Sequence, residues 1–330
     1  MGLRKRFPLL LLGMTLVVGT VGGLMLGDGG LAAPSVWFAD GPGGELVRSL
    51  RLPRVLAAAL VGVALGCAGL LTQSLTRNPL ADPGLFGVAS GALLAGMIAR
   101  LVGAIPETVL AWPSIVGALV ATIGVLLIGR AQPDAAPETL VVVGVALNAA
   151  LGGAAALLAL VDPQRFIPLR LWLAGSVAGR QMPAVLTSLA LVLPVILLVM
   201  LLSGEIDALT FGSHQARSWG GMPRVTALIM IVSVAWLTGA ATAVAGPIAF
   251  IGLAAPHLSR RVVPWFNHTW GIPLTAATGA AIMLIADLVG RVVSSPGEVP
   301  VSILVGAFGA PILILFVLAH SRAMGDLFSR

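Results

Sequence analysis

Charge is what this sequence has least of. Asp, Glu, Lys and Arg make up 10% of its 330 residues, against about 25% in an ordinary soluble domain. Lysine occurs once, as Lys5, and tyrosine is missing altogether. With 58% hydrophobic residues and a mean hydropathy of +1.03, one water-soluble core cannot absorb the apolar surface, but a bilayer can. The net charge of +6 does not indicate nucleic acid, because the arginines stand at the ends of apolar runs, where topology and lipid headgroups account for them. The single cysteine, Cys67, excludes an intrachain disulfide and reads as a small packing residue. No Cys, His, Asp and Glu cluster has ligand spacing, and His257 in "PHLSRR" has no second ligand near it, so no metal site and no cofactor are expected. A GxxxxGK[ST] phosphate loop is absent, so ATP hydrolysis is not expected of this chain.

What is present is a series of apolar runs long enough to cross a bilayer. They cover 9–27, 55–72, 85–104, 110–129, 139–160, 183–203, 225–245, 271–290 and 301–319, with a shorter one at 247–259. That pattern predicts an all-α polytopic membrane protein of about ten transmembrane helices, with 1–330 as one membrane domain. The first run follows Arg4, Lys5 and Arg6 but exceeds the apolar core of a signal peptide, so it reads as a retained helix. With both termini cytoplasmic, eleven of the 19 basic residues fall inside, a mild preference for that orientation. Arg48, Arg51, Arg54, Arg100, Arg165, Arg170, Arg180 and Arg291 fall outside and need a reason beyond topology.

"TRNPLADPGLFG" at 76–87 interrupts two apolar runs. Pro79 stops the helix before it. Asp82 followed by Pro83 is a helix-start pattern. The stretch therefore reads as a tight cytoplasmic corner in which Arg77 and Asn78 bond the loose carbonyls of the preceding helix. Gly62, Gly66 and Gly69 on one side, and Gly84, Gly87 and Gly91 on the other, suit close helix contacts. Gly246 and Pro247 break the chain before the short run. "PRV" opens two runs, at 53–55 and 223–225, from opposite sides, as an inverted repeat would.

"LRLPRVLAAALVGVALGCAGLLTQSLTRNPLADPGLFGVASGA" resembles the permease subunits of type II ABC importers, the family that imports iron–siderophore complexes, haem and vitamin B12. The resemblance continues through "WLAGSVAG" (172–179), "FGSHQARSWG" (211–220), "AGPIAFIGLAAPHLSRRVV" (245–263), "IADLVGR" (285–291) and "EVPVSILVGAFGAPILI" (298–314). It implies a ten-helix permease in a bacterial cytoplasmic membrane, paired with a second permease, identical or paralogous. Two cytoplasmic ATPases would drive it, and an extracytoplasmic binding protein would deliver the cargo.

The same resemblance assigns site residues. Arg51, Arg54 and Arg291 match arginines that meet glutamates on the binding protein, a task suited to the guanidinium fork. Asp287, at i and i+4 from Arg291, is placed to orient it. The segment 204–224 matches the pair of short helices that seats on the ATPase, with Gly212, Ser213, His214, Gln215, Ala216, Arg217 and Gly220 as its contact residues. Relatives commonly carry acids where Ser213 and His214 stand. Asn148, the one strong hydrogen-bonding side chain in its run, faces either the pathway or a neighbouring helix.

The expected function is a non-catalytic permease for an iron–siderophore complex, with haem or cobalamin as the alternative cargo. An ion-coupled secondary transporter is the rival of another class, yet it would keep ionisable residues in mid-membrane, where these runs are nearly empty. An intramembrane enzyme would need a nucleophile–base pair, and the sequence shows none.

Overall fold

The computed structural model describes residues 3–27, 30–31, 33, 37, 40–103, 105–130, 137–262, 267–294, 297–309 and 311. Twelve helices carry the argument: α1 (Leu3–Met25), α2 (Leu52–Thr76), α3 (Val88–Val102), α4 (Ala111–Arg130), α5 (Pro137–Val161), α6 (Met182–Leu201), α7 (Ser203–Thr210), α8 (Ser213–Ser218), α9 (Pro223–Ala245), α10 (Ile251–Val262), α11 (His268–Val293) and α12 (301–309). All ten apolar runs contain a helix. Among the described residues, seven helices are long and apolar enough to cross a membrane. The rest of the last run, and the basic residues Arg322 and Arg330, lie outside the described residues. A two-residue antiparallel pairing, Leu26–Gly27 with Gly30–Leu31, follows α1.

Helix starts follow local chemistry. Pro53 and Pro223 each occupy a first-turn position of α2 and α9, where a missing N–H costs nothing. These two helices, opened by the two "PRV" blocks, start from opposite ends of the bundle. Helix α9 stops at Gly246, whose φ of 74° is open to glycine. At 12 residues, α10 is about 18 Å long, too short to span the roughly 30 Å hydrocarbon core.

The centre of the bundle is α2, packed against α11 and α9. In the most apolar window of α2, 83% of residues are buried, against 11% in α1 and in α5. Small residues explain the tight centre. A Cβ on Gly62 would meet the Gly279 carbonyl, and one on Gly69 would meet that of Gly252. The same holds for Gly91 against Gly117 between α3 and α4, whereas Gly84 meets only the Asp82 side chain. Cys67 is buried in this core with its sulfur 3.9 Å from the Ile272 carbonyl. The outer faces of α1, α5 and α6 expose mainly Leu and Val.

Candidate functional site

The charged side chains considered next lie at the two ends of the bundle. At one, the arginine end, α2 begins and α11 finishes. Arg54 donates to Asp287 at 2.9 and 3.0 Å and to Glu298 at 2.5 Å. Arg291 pairs with the same Asp287 from the next helical turn and donates to the carbonyls of Gly23 at 2.7 Å and Leu26 at 3.0 Å. Arg51 donates to Leu24 and Met25 carbonyls at 3.1 and 2.6 Å. Those carbonyls close α1, whose last turn lacks internal partners and favours positive charge.

The three arginines predicted together are therefore together, but they point inward: Arg51 is 4% exposed, Arg54 9% and Arg291 8%. The forks expected to face a partner are occupied by Asp287, Glu298 and the end of α1. A guanidinium buried beside carboxylates keeps its charge only if it is paired, and here internal groups do the pairing. Asp287 orients Arg291 as expected and Arg54 as well. Glu298 was not singled out from the sequence, although an acid in so acid-poor a chain was a signal. Arg48, one turn before Arg51, is exposed. Arg180 lies 3.3 Å from Glu107, and Arg100 lies 3.8 Å from the same carboxylate and 5.9 Å from the centre of the Trp172 ring. These two outside arginines also have an internal partner.

The corner at 76–87 sits at the other end, the loop end. Asp82 accepts from the Gly84 N–H at 2.7 Å and so starts the turn Pro83–Phe86, as expected of an N-cap. It is buried against Gly252 as well. Burial pushes its carboxyl up to about 6, with the backbone N–H groups of Gly84 and Leu253 pulling the other way. The helical part proper begins only at Val88, after Gly87 at φ 72°. Arg77 and Asn78 differ from expectation. Their side chains do not bond the end of α2. Their backbone N–H groups do so, both reaching the Gln73 carbonyl, with Arg77 at φ 51°. A left-handed residue after a helix makes this bond by itself, which frees the side chains. Arg77 then donates to the Leu209 carbonyl on α7 at 3.1 Å, and Asn78 accepts from Leu80 N–H at 2.9 Å.

Segment 204–224 folds as α7 and α8, the two short helices anticipated. Gly212 at φ 118° and Gly220 at φ 82° bracket α8; Gly221 has no such conformation. Ser213, His214, Gln215 and Arg217 are exposed, and Ala216 is buried. It borders a void of about 250 Å³ shared with Gly204, Glu205 and Met222. The sequence reading missed the aromatics. Phe211 is 72% exposed, Trp219 59% and Met222 67%, with the two rings stacked edge to face at 5.9 Å.

Asn148 is half-buried and accepts a 2.5 Å hydrogen bond from Ser90 on α3. That bond joins α5 to α3.

One constellation was not anticipated. At the loop end, Ser74 Oγ lies 2.6 Å from His268 Nε2, and His268 Nδ1 lies 2.6 Å from Asp207 Oδ1. Nucleophile, base and acid stand in a row. Ser74 is nonetheless buried in the last turns of α2, and its hydroxyl reaches the Leu70 carbonyl at 2.8 Å. Nucleophilic catalysis needs an exposed Oγ facing oxyanion donors, and a hydroxyl bonded within its own helix does not meet that need. The row ties three helices together.

Comparison with known proteins agrees with this architecture. The FecCD transport family profile matches residues 15–319. The ferric enterobactin transport system permease of Escherichia coli (strain K12) is 40% identical, over 94% of this chain and 94% of that protein. The hemin transport system permease of Yersinia pestis is 33% identical, over 94% and 96%. The vitamin B12 import system permease of Shigella flexneri is 34% identical, over 88% of each. Among solved structures, an inward-facing metal-chelate type ABC transporter aligns with a TM-score of 0.79 and 28% identity, over 94% of this chain and 98% of that one.

Proposed function

The chain belongs to the FecCD transport family and is the permease of an ABC importer, and from that premise we propose that its cargo is an iron–siderophore complex. The observation that carries the cargo is the 40% identity, over nearly the whole length, to a permease for ferric enterobactin. Haem or cobalamin is the second reading, favoured by relatives at 33% and 34% identity.

In this reading both termini and the loop end face the cytoplasm, and the arginine end faces the binding protein. Arg51, Arg54 and Arg291 serve docking from beneath. They hold the end of α1 and the Glu298 side chain in place, and the exposed Arg48 stands at the surface beside them. A separate ATPase seats on α8. The support for that seat is an exposed Trp219 at the end of α8, with exposed Phe211 and Met222 just beyond the glycine turns at Gly212 and Gly220. Large exposed apolar residues grouped around one short helix mark an interaction surface. A second permease, identical or paralogous, covers the exposed Val and Leu face of α5, and the pathway runs there beside Asn148.

Uptake in proteoliposomes with the ATPase and binding protein tests this. ATP-dependent uptake of a ferric siderophore, in preference to haem and cobalamin, is the expected result. Uptake of haem or cobalamin without ferric siderophore would replace the cargo assignment. Uptake that follows an ion gradient without ATP would favour the secondary transporter.

A further inference from the structure

The Asp207–His268–Ser74 row has no part in the site assignments above, yet it links three helices at the loop end. Asp207, on α7, accepts the backbone N–H of His268 at 3.1 Å as well as its ring Nδ1 at 2.6 Å. One carboxylate thus closes the first turn of α11, whose own cap is Asn267, and grips the side chain that turn presents. A negative charge is favoured at that helix start. A carboxylate only accepts here, so Nδ1 carries the hydrogen, and the one hydroxyl hydrogen of Ser74 on α2 is shared between Nε2 and the Leu70 carbonyl. Two further bonds join the same elements. Ser203 meets Thr269 at 3.1 Å, and Arg77, just past α2, donates to the Leu209 carbonyl on α7 at 3.1 Å.

Helices α2 and α11 are in turn locked along their length. Gly62 and Gly279 touch backbone to backbone, and a Cβ on Gly66 would stand 2.9 Å from the Thr275 carbonyl. Their far ends meet again through Arg54 and Asp287. Such packing leaves little room for sliding, because backbones in direct contact have no side chains to rearrange.

We propose that Asp207, His268 and Ser74 are positioning residues that fasten α7, the helix leading into the ATPase seat on α8, to the α2–α11 pair, so that displacement of α7 carries those two helices as one body to the arginine end. The row acts through α7 and touches neither nucleotide nor cargo. The proposal rests on the ATPase seat assigned above and is independent of the cargo.

Two measurements test it. In proteoliposomes of the full transporter, ATP hydrolysed per chelate imported should rise about tenfold in His268→Gln and in Asp207→Asn, with hydrolysis within about twofold of the parent. The double variant should be no worse than either single one, since both break one contact. Ser74→Ala, which removes only a hydroxyl, should shift the ratio the same way by less and serves should the others fail to accumulate. Proportional loss of both activities, or an unchanged ratio in all variants, overturns the proposal. The second measurement needs no cargo. Spin labels at Ala208 and Val292, in a Cys67→Ala background, should keep a constant separation through the nucleotide cycle in the parent and lose that constancy in Asp207→Asn. A separation that already changes in the parent shows that α7 and α11 are not one body. If the parent keeps its separation yet imports no ferric siderophore, the cargo assignment fails and the coupling survives.

Discussion

At the arginine end, Arg51, Arg54 and Arg291 are each less than a tenth exposed and paired with groups of the same chain. At the loop end, Ser213, His214, Gln215 and Arg217 face outward beside exposed Phe211 and Trp219. Both regions read alike in sequence, as polar residues bordering apolar helices. The difference lies in the acids available. Asp287 and Glu298 return to the arginines through the fold, and α8 has no acid among its own residues. A cationic fork finds an internal partner where the bundle supplies an acid and stays exposed where it does not.

The harshest way to break this contrast is Asp287→Ala, which leaves Arg54 and Arg291 buried without their shared carboxylate. Losing one partner of a buried pair costs about 3–5 kcal/mol, so folded protein in the membrane should fall sharply, as measured by abundance and thermal unfolding. His214→Ala at the loop end should leave abundance unchanged.

The double change Arg51→Glu, Arg54→Glu comes next. If these arginines only faced a partner, uptake would fall with abundance intact and a charge-reversed binding protein would restore it. Their burial instead predicts that abundance falls too, and that no partner change restores it.

At the loop end, Gly220→Val forces a β-branched residue to φ 82°, at a cost of roughly 1–2 kcal/mol. The protein should still insert, while uptake per ATP hydrolysed falls about tenfold in reconstituted transporter.

Asp82 offers a pH test. Its folded carboxyl sits near 6, above the ordinary 3.8, so the folded chain holds that proton more tightly than the unfolded one. Its contribution to stability is full below the ordinary value and is lost as pH rises through the folded one. Asp82→Asn, which cannot ionise, should therefore gain on the parent between about pH 4 and pH 7 in thermal unfolding.

The smallest effect belongs to the exposed Arg48. Arg48→Glu should weaken binding-protein affinity by roughly 0.2–1 kcal/mol, with the difference shrinking as salt rises. An equal loss from Arg48→Glu and from the buried pair would erase the distinction between the two ends.

The sequence by itself determined the helices and the family. Apolar runs of spanning length, Asp82 and Pro83 at a turn start, Gly246 at a helix stop and the prolines opening α2 and α9 act over a few residues. Local sterics and lipid transfer decide them whatever the rest of the chain does. Tertiary structure alone decided which way the polar side chains point. Arg54 finds Asp287 from 233 positions away, Arg77 reaches Leu209 across 132, and His268 meets Ser74 across 194. A buried charge or ring nitrogen must be satisfied by whatever the fold brings within about 3 Å, and spacing along the chain does not reveal that partner.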